Sequence, residues 1–210
     1  RITAATYMGK TGILDIEREV EMGGVTHSKG VLILSGYIGK KYAQDIPLSL
    51  AASICFEQLY GGIEGDSASS SELFAILSSL SDLPIYQGIA ATGSVNQHGF
   101  IQPIGGATFK IEGFFEICKI NGLNGKQGVI IPYQNVRNLV LSDEVVKAVK
   151  AGLFRIYPIK TADEGMEILT GVPAGQRLPD GTYPTGTVNG RVYRKLRYYA
   201  ETTAKYRNME

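Results

Sequence analysis

The stretch Glu64-Gly65-Asp66-Ser67-Ala68-Ser69-Ser70-Ser71-Glu72 decides how the rest of this chain is read. A Gly-Asp-Ser turn runs directly into apolar residues at helical spacing (Leu73, Phe74, Ile76, Leu77, Leu80), which predicts a helix from Ser67 to Leu80 with a serine at its start. Backbone amides left unpaired in a first helical turn can hold an oxyanion beside such a hydroxyl. The same residues also suit plain capping, with Ser67, Ser69 or Ser70 accepting from first-turn amides and Glu72 completing a capping box. A second segment, Pro103-Ile104-Gly105-Gly106-Ala107-Thr108-Phe109-Lys110, brings a lysine to the start of another apolar helix. A serine and a neutral lysine suffice for hydrolysis by a dyad. To act as a base the lysine must bring its pKa from about 10.4 toward roughly 7 to 8, and a helix N-terminus pushes in that direction. A solvated lysine without any such role fits the spacing as well. Glu64 and Asp66 flank the serine, where they can orient Lys110 or a water, or satisfy turn amides.

Around this centre, 210 residues with 44% hydrophobic content bury one sizeable core, or a core with a small appendage. Twenty-one basic against 20 acidic residues, a formal net charge of +1, give no general reason to expect nucleic acid or membrane as a partner. Cys55 and Cys118 lack CxxC or histidine-flanked spacing, which argues against a disulfide framework or zinc site and for reduced thiols in a cytoplasmic protein. No apolar run of about eighteen residues occurs, and no secretory pattern opens the chain. The start at Arg1 rather than methionine reads as an excised fragment.

Gly12 to Glu21 and Val31 to Leu34 read as two strands, which predicts a β-rich N-terminal layer. Ala43 to Tyr60 reads as a helix tolerating Pro47 in its first turn. A hairpin is expected between Gln87–Gly93 and Phe100–Ile104, about Gln97-His98-Gly99. Beyond the Lys110 helix come a buried strand at Gly128–Pro132, a helix at Asp143–Ala151, a strand at Phe154–Ile159 and a helix at Ala162–Leu169 closed by Gly171. Alternating strands and helices place the chain in the α/β (α+β) class. Residues 1–172 form the expected catalytic-size domain. Residues 173–210 read as a linker and a solvated basic and aromatic tail helix, with Arg191, Arg194, Lys195, Arg197, Tyr198 and Tyr199 free to dock a partner, a neighbouring subunit or nucleic acid.

Two competing motifs fail. Ala4-Ala5-Thr6-Tyr7-Met8-Gly9-Lys10-Thr11 has alanine where a phosphate-binding loop needs its first glycine, and no strand is expected ahead of it. His27 and His98 are the only histidines, so a Ser-His-Asp arrangement requires one of them to fold beside Ser67.

Glu64-Gly65-Asp66-Ser67-Ala68-Ser69, together with Thr92-Gly93-Ser94-Val95, Pro103-Ile104-Gly105-Gly106 and Lys110, resembles the proteolytic domain of Lon proteases, peptidase family S16. The Gly-Asp-Ser-Ala-Ser form is similar to the archaeal-type branch that also occurs in bacteria. Ile16 to Val20, Lys29-Gly30-Val31-Leu32, Phe56-Glu57-Gln58 and Gly128 to Pro132 extend the likeness over about Gly12 to Gly171. The resemblance implies a Ser67 nucleophile, a Lys110 general base, Thr92 positioning the lysine, and Glu64 and Asp66 in support. It implies a serine endopeptidase acting on unfolded or misfolded polypeptides. It further implies a homo-hexamer, and coupling to an AAA+ module, absent from these residues, that would bind ATP and magnesium. No cofactor is expected on this chain itself. An aspartate before the nucleophile is also expected to bond Lys110 and hold it charged. The rival expectation is a catalytically silent oligomerisation platform in which Ser67 merely caps a helix.

Overall fold

The computed structural model describes residues 1–207. Its first half is built on three strands in the order β1-β3-β2. β1 (Ile2–Met8) pairs antiparallel with β3 (Leu50–Phe56), and β2 (Gly12–Asp15) pairs parallel with β3 on its other side. A short helix α1 (Ile16–Glu19) and the long α2 (Val25–Tyr42) connect β2 to β3. Helix α3 (Ser69–Ser81) follows the serine turn and packs on β1.

The second half is a parallel sheet in the order β4-β7-β8. β4 (Ile89–Ala91) is an edge strand, β7 (Gly128–Pro132) the buried centre and β8 (Arg155–Ile159) the other flank. A hairpin of β5 (Ser94–Val95) and β6 (Ile101–Gln102) leads to α4 (Ala107–Ile120). α5 (Asp143–Lys150), α6 (Ala162–Thr170) and α7 (Val188–Arg207) complete the chain. Helices and strands in mixed sheets establish the α/β class.

Several expectations for the N-terminal half are overturned. Val31 to Leu34 belongs to α2, whose buried positions His27, Gly30, Val31, Leu34, Tyr37 and Ile38 recur at helical spacing while Leu32 faces out. The apolar run that imitates a strand is a local coincidence inside a longer 3.6-residue period. The helix expected over Ala43–Tyr60 is instead β3. As the central strand it is covered on both faces, so it reads as a near-continuous apolar run that periodicity cannot separate from a buried helix. The rejected phosphate-loop segment lies mostly in β1. In the hairpin region the tip at Asn96–Phe100 holds, but Ile89–Ala91 pairs in parallel with β7 rather than with residues 100–104.

The main core gathers Leu34, Ile38, Leu73, Phe74, Leu77 and their neighbours between α2, α3 and the strands. A smaller cluster, with Ile111, Phe115, Val129, Ile131 and Phe154, seats α4 on β7. The expected solvated tail helix differs most. Val188, Val192, Leu196 and Tyr199 of α7 are buried in the main core, and α7 packs on α3. Its basic residues keep to the other face, an amphipathic arrangement that tail composition alone conceals. Leu196→Ala is therefore expected to cost about 2–5 kcal/mol in urea unfolding, the range for truncating a buried leucine. Arg197→Ala, which removes only the exposed pair with Glu201, is expected to change stability by less than about 0.5 kcal/mol.

Candidate active site

Gly65 takes φ +86°, a left-handed conformation that L side chains rarely adopt, and this lets the chain reverse sharply before Ser67. The helix itself begins at Ser69, and its N-cap residue Ala68 makes no side-chain capping bond. Neither half of the capping alternative is realised: Ser69 Oγ accepts from the Val95 amide at 3.1 Å, and both Glu72 oxygens lack a hydrogen-bond partner. Ser67 is left half-buried at the mouth of a cavity.

The turn is tied to the end of β4. Gly93 N–H donates to the Ser67 carbonyl at 2.8 Å and Thr92 Oγ1 donates to it at 3.2 Å. Thr92 is buried, its own amide donating to Ile130 O at 3.0 Å. From the opposite side, Lys110 rises from the first turn of α4. Its Nζ stands 2.6 Å from Ser67 Oγ and 3.3 Å from Thr92 Oγ1. The lysine as a residue is exposed, yet burial around its ammonium lowers its pKa, and the negative charge of Asp66 acts in the opposite sense. Ser67, Lys110 and Thr92 are thus brought together.

The flanking acids are not part of that contact. Asp66 Oδ2 accepts from Ser94 Oγ at 2.7 Å, and among the described residues no hydrogen bond or ion pair joins it to Lys110. The expected Asp66–Lys110 bond is therefore absent; the two interact only through their charges. Glu64 turns toward α2, where its Oε1 accepts from the Thr26 amide at 3.2 Å, and the Thr26 side chain, ahead of the Gly65 and Thr26 amides, lowers its pKa. Ser94 went unremarked in the sequence, although it sits inside the Thr92-Gly93-Ser94 triplet; a hydroxyl two residues past the threonine is its only signal. His27 lies near the turn but bonds Asp15, so no Ser-His-Asp arrangement forms. Among the described residues no group of three or more His, Cys, Asp or Glu side chains is placed to hold a metal ion. Among the described residues no helix is long and apolar enough to cross a membrane.

Ser67 and Lys110 open on a cavity of about 240 Å³ that Ile2, Ala68, Ala90 and Val129 help to line. Ile2, Ala90 and Ala91 also border an adjoining cavity of about 380 Å³ along β4. A larger one, about 560 Å³, lies elsewhere around Lys41, Asp163 and Tyr183 and contains neither Ser67 nor Lys110.

These opposing influences on Lys110 are separable. Its side chain is expected to titrate below an ordinary lysine, followed by carbon-13 NMR with the resonance assigned through Lys110→Arg. Asp66→Asn removes the charge that favours the ammonium, so the midpoint should drop further. A midpoint that stays put in Asp66→Asn would disprove the electrostatic link.

Comparison with known proteins places this chain in a family. The model of the Lon protease (S16) C-terminal proteolytic domain matches residues 61–170. A Lon protease homolog of Escherichia coli (strain K12) is 45% identical over 169 residues, covering 80% of this chain and 29% of that protein. A Lon protease homolog of Haemophilus influenzae is 40% identical over 205 residues, 98% of this chain and 34% of that protein. An archaeal Lon protease of Thermococcus kodakarensis is 33% identical over 183 residues, 80% and 27% of the two chains. The chain spans about a third of the length of these relatives. With the family model covering just over half of it, the chain belongs to the Lon protease (S16) C-terminal proteolytic domain family.

Proposed function

We propose that this chain is a serine endopeptidase domain in which Ser67 is the nucleophile and Lys110 the general base. The observation that carries this reading is the 2.6 Å approach of Lys110 Nζ to Ser67 Oγ. Once Lys110 has lost its proton, the same contact runs the other way: Ser67 O–H donates to Nζ, and the oxygen attacks a peptide carbonyl. The tetrahedral oxyanion is assigned to the amides of Ser67 and Ala68 just before α3, since those of Ser69 and Ser70 already donate to Asp66 O and Gly93 O at 3.1 Å. Lys110 then returns the proton to the leaving amine. Water, deprotonated by the same lysine, releases the acyl group.

Thr92 is assigned a positioning role, because its hydroxyl spans the Ser67 carbonyl and the lysine. Asp66 is assigned an electrostatic one, resisting the loss of the lysine proton. Glu64 supports the turn from a distance through Thr26. Substrates are polypeptides in extended form, which suits the cavities that run beside edge strand β4. The wider activity belongs to a longer protein: a cytoplasmic homo-hexamer that feeds unfolded or misfolded chains to this site, with ATP and magnesium held on an AAA+ module outside these residues. This chain alone is accordingly expected to cleave short unstructured peptides weakly and folded proteins not at all.

A fluorophosphonate should phosphonylate Ser67 in the parent chain, its fluoride leaving as Oγ bonds to phosphorus. Labelling should vanish in Ser67→Ala and fall at least about 100-fold in Lys110→Ala, the usual worth of a positioned general base. Undiminished labelling of Lys110→Ala would refute the dyad.

A further inference from the structure

Behind the serine turn lies a charged cluster that the hydrolytic reading leaves without a role. Asp15, His27 and Glu72 are each 1% exposed and Glu17 is 3% exposed, yet they come from four different elements, β2, α2, α3 and α1. His27 Nε2 donates to Asp15 Oδ2 at 2.7 Å, and its Nδ1 faces Glu72 Oε1 at 3.6 Å. Glu17 Oε1 accepts from the Phe56 amide at 2.9 Å and meets Cys55 Sγ at 3.8 Å. Both oxygens of Glu72, Asp15 Oδ1 and Glu17 Oε2 have no hydrogen-bond partner among the described residues. Buried carboxyl groups satisfied so incompletely do not stabilise a core; apolar residues of the same volume usually do better.

The location supplies a reason. Glu72 stands in the first turn of α3, its amide bonded to Ala68 O at 3.1 Å, immediately after the nucleophile. Helix α2, which carries His27, touches the serine segment at three successive levels. Gly24 N–H donates to Ile63 O at 2.8 Å, and Thr26 N–H to Glu64 Oε1 at 3.2 Å. At Gly30 the helix backbone comes so near that a Cβ there would stand 3.4 Å from Asp66 Cβ and 3.5 Å from Ser69 Cβ. α2 is therefore the wall on which the turn rests, and His27 links that wall to α3 and to β2.

We propose that Glu72 and His27 are positioning residues for the Ser67–Lys110 pair: with Asp15 they clamp α2 against the first turn of α3 and hold the Ser67 turn in line with the lysine. The proposal rests on the hydrolase reading above. The groups that face the clamp are Asp15 from β2, Glu17 from α1, Cys55 beside Glu17 on β3, and Glu64 from the segment before the turn. Burial is the largest single influence on Asp15 and works against its charge, but the His27 bond, the contacts to Glu17 and the His27 charge together outweigh it and hold the carboxyl below its ordinary value. His27 is raised, with the bond to Asp15 the largest cause, so carboxylate and imidazolium favour each other. Burial pushes Glu72 up to about 7, helped by Asp15 and Glu17 and opposed by His27. Folding thus retains a proton on Glu72 that the unfolded chain releases near 4.5. Glu72's own share of the stability is therefore present in full below about 4.5 and is lost as pH rises through about 7. Above that pH an ionised Glu72 has no donor and must draw His27 or water toward itself, which shifts the wall behind Asp66 and Ser69.

The test compares the parent chain with Glu72→Gln, which keeps the size of the protonated side chain but cannot ionise. In nitrogen-15 NMR the amides of Ala68, Ser69 and Ser70 should shift with a midpoint near pH 7 in the parent and not in Glu72→Gln. The rate of Ser67 phosphonylation by a fluorophosphonate, taken as the ratio of Glu72→Gln to parent, should rise several-fold between pH 6 and pH 8.5. In peptide cleavage, His27→Gln should lower kcat with KM little changed; should that variant not fold, the Glu72→Gln comparison decides alone. A flat ratio, or amide shifts that persist in Glu72→Gln, overturns the clamp. A parent chain that is not phosphonylated at Ser67 at any pH overturns the hydrolase reading instead, and the clamp's catalytic role with it.

Discussion

The carbonyl oxygen of Ser67 accepts two hydrogen bonds, from Gly93 N–H and from Thr92 Oγ1, and they tie the serine turn of the first half of the molecule to the end of β4 in the second. On one side stands the β1-β3-β2 sheet with α2 and α3, on the other the β4-β7-β8 sheet with α4. Neither half holds the chemistry alone, since the hydroxyl comes from the first and the amine from the second. Thr92 serves both, donating to the carbonyl beneath the serine and standing 3.3 Å from the lysine that approaches its hydroxyl. Two bonds on a single carbonyl therefore determine whether Ser67 and Lys110 share one geometry or two.

How legible this was in the sequence depended on the kind of signal. Short segments bounded by glycine and proline, such as Gly128–Pro132 and the helix ended by Gly171, could be placed because their punctuation is local chemistry. Glycine-led turns at helix starts made Ser67 and Lys110 candidates, but local spacing left capping and a solvated lysine open, and only the likeness to Lon proteolytic domains singled them out. What failed was long range. α2 and β3 were exchanged because a β-branched run sat within a helical period, and because a strand covered on both faces has no period of two to display. The burial of α7 and the inward direction of His27 and Glu72 depend on partners far away in the chain, and no window of residues contains them.

Asp66 illustrates how near a local reading can come without being right. Its position beside Ser67 correctly suggests an influence on Lys110, and its charge does favour the ammonium. The side chain, however, is taken by Ser94 at 2.7 Å, so the influence is exerted through space and not through a bond. The same serine-rich neighbourhood explains why the helix start is not conventionally capped. Ser69 is committed to Val95, and Glu72, which would complete a capping box, is turned inward to His27. Local rules are broken here in the manner expected where a fold accommodates a site.

The burial of α7 against α3 has a temporal side. α3 carries the serine turn at its N-terminal end, but the surface that beds its flank is supplied by Val192, Leu196 and Tyr199, more than a hundred residues later in the chain. As this chain leaves the ribosome, Ser67 and Lys110 emerge well before the helix that completes the support of α3. The bed on which the serine turn rests is thus unfinished for as long as the last part of the chain is still extended, and it is completed only when α7 is free to dock.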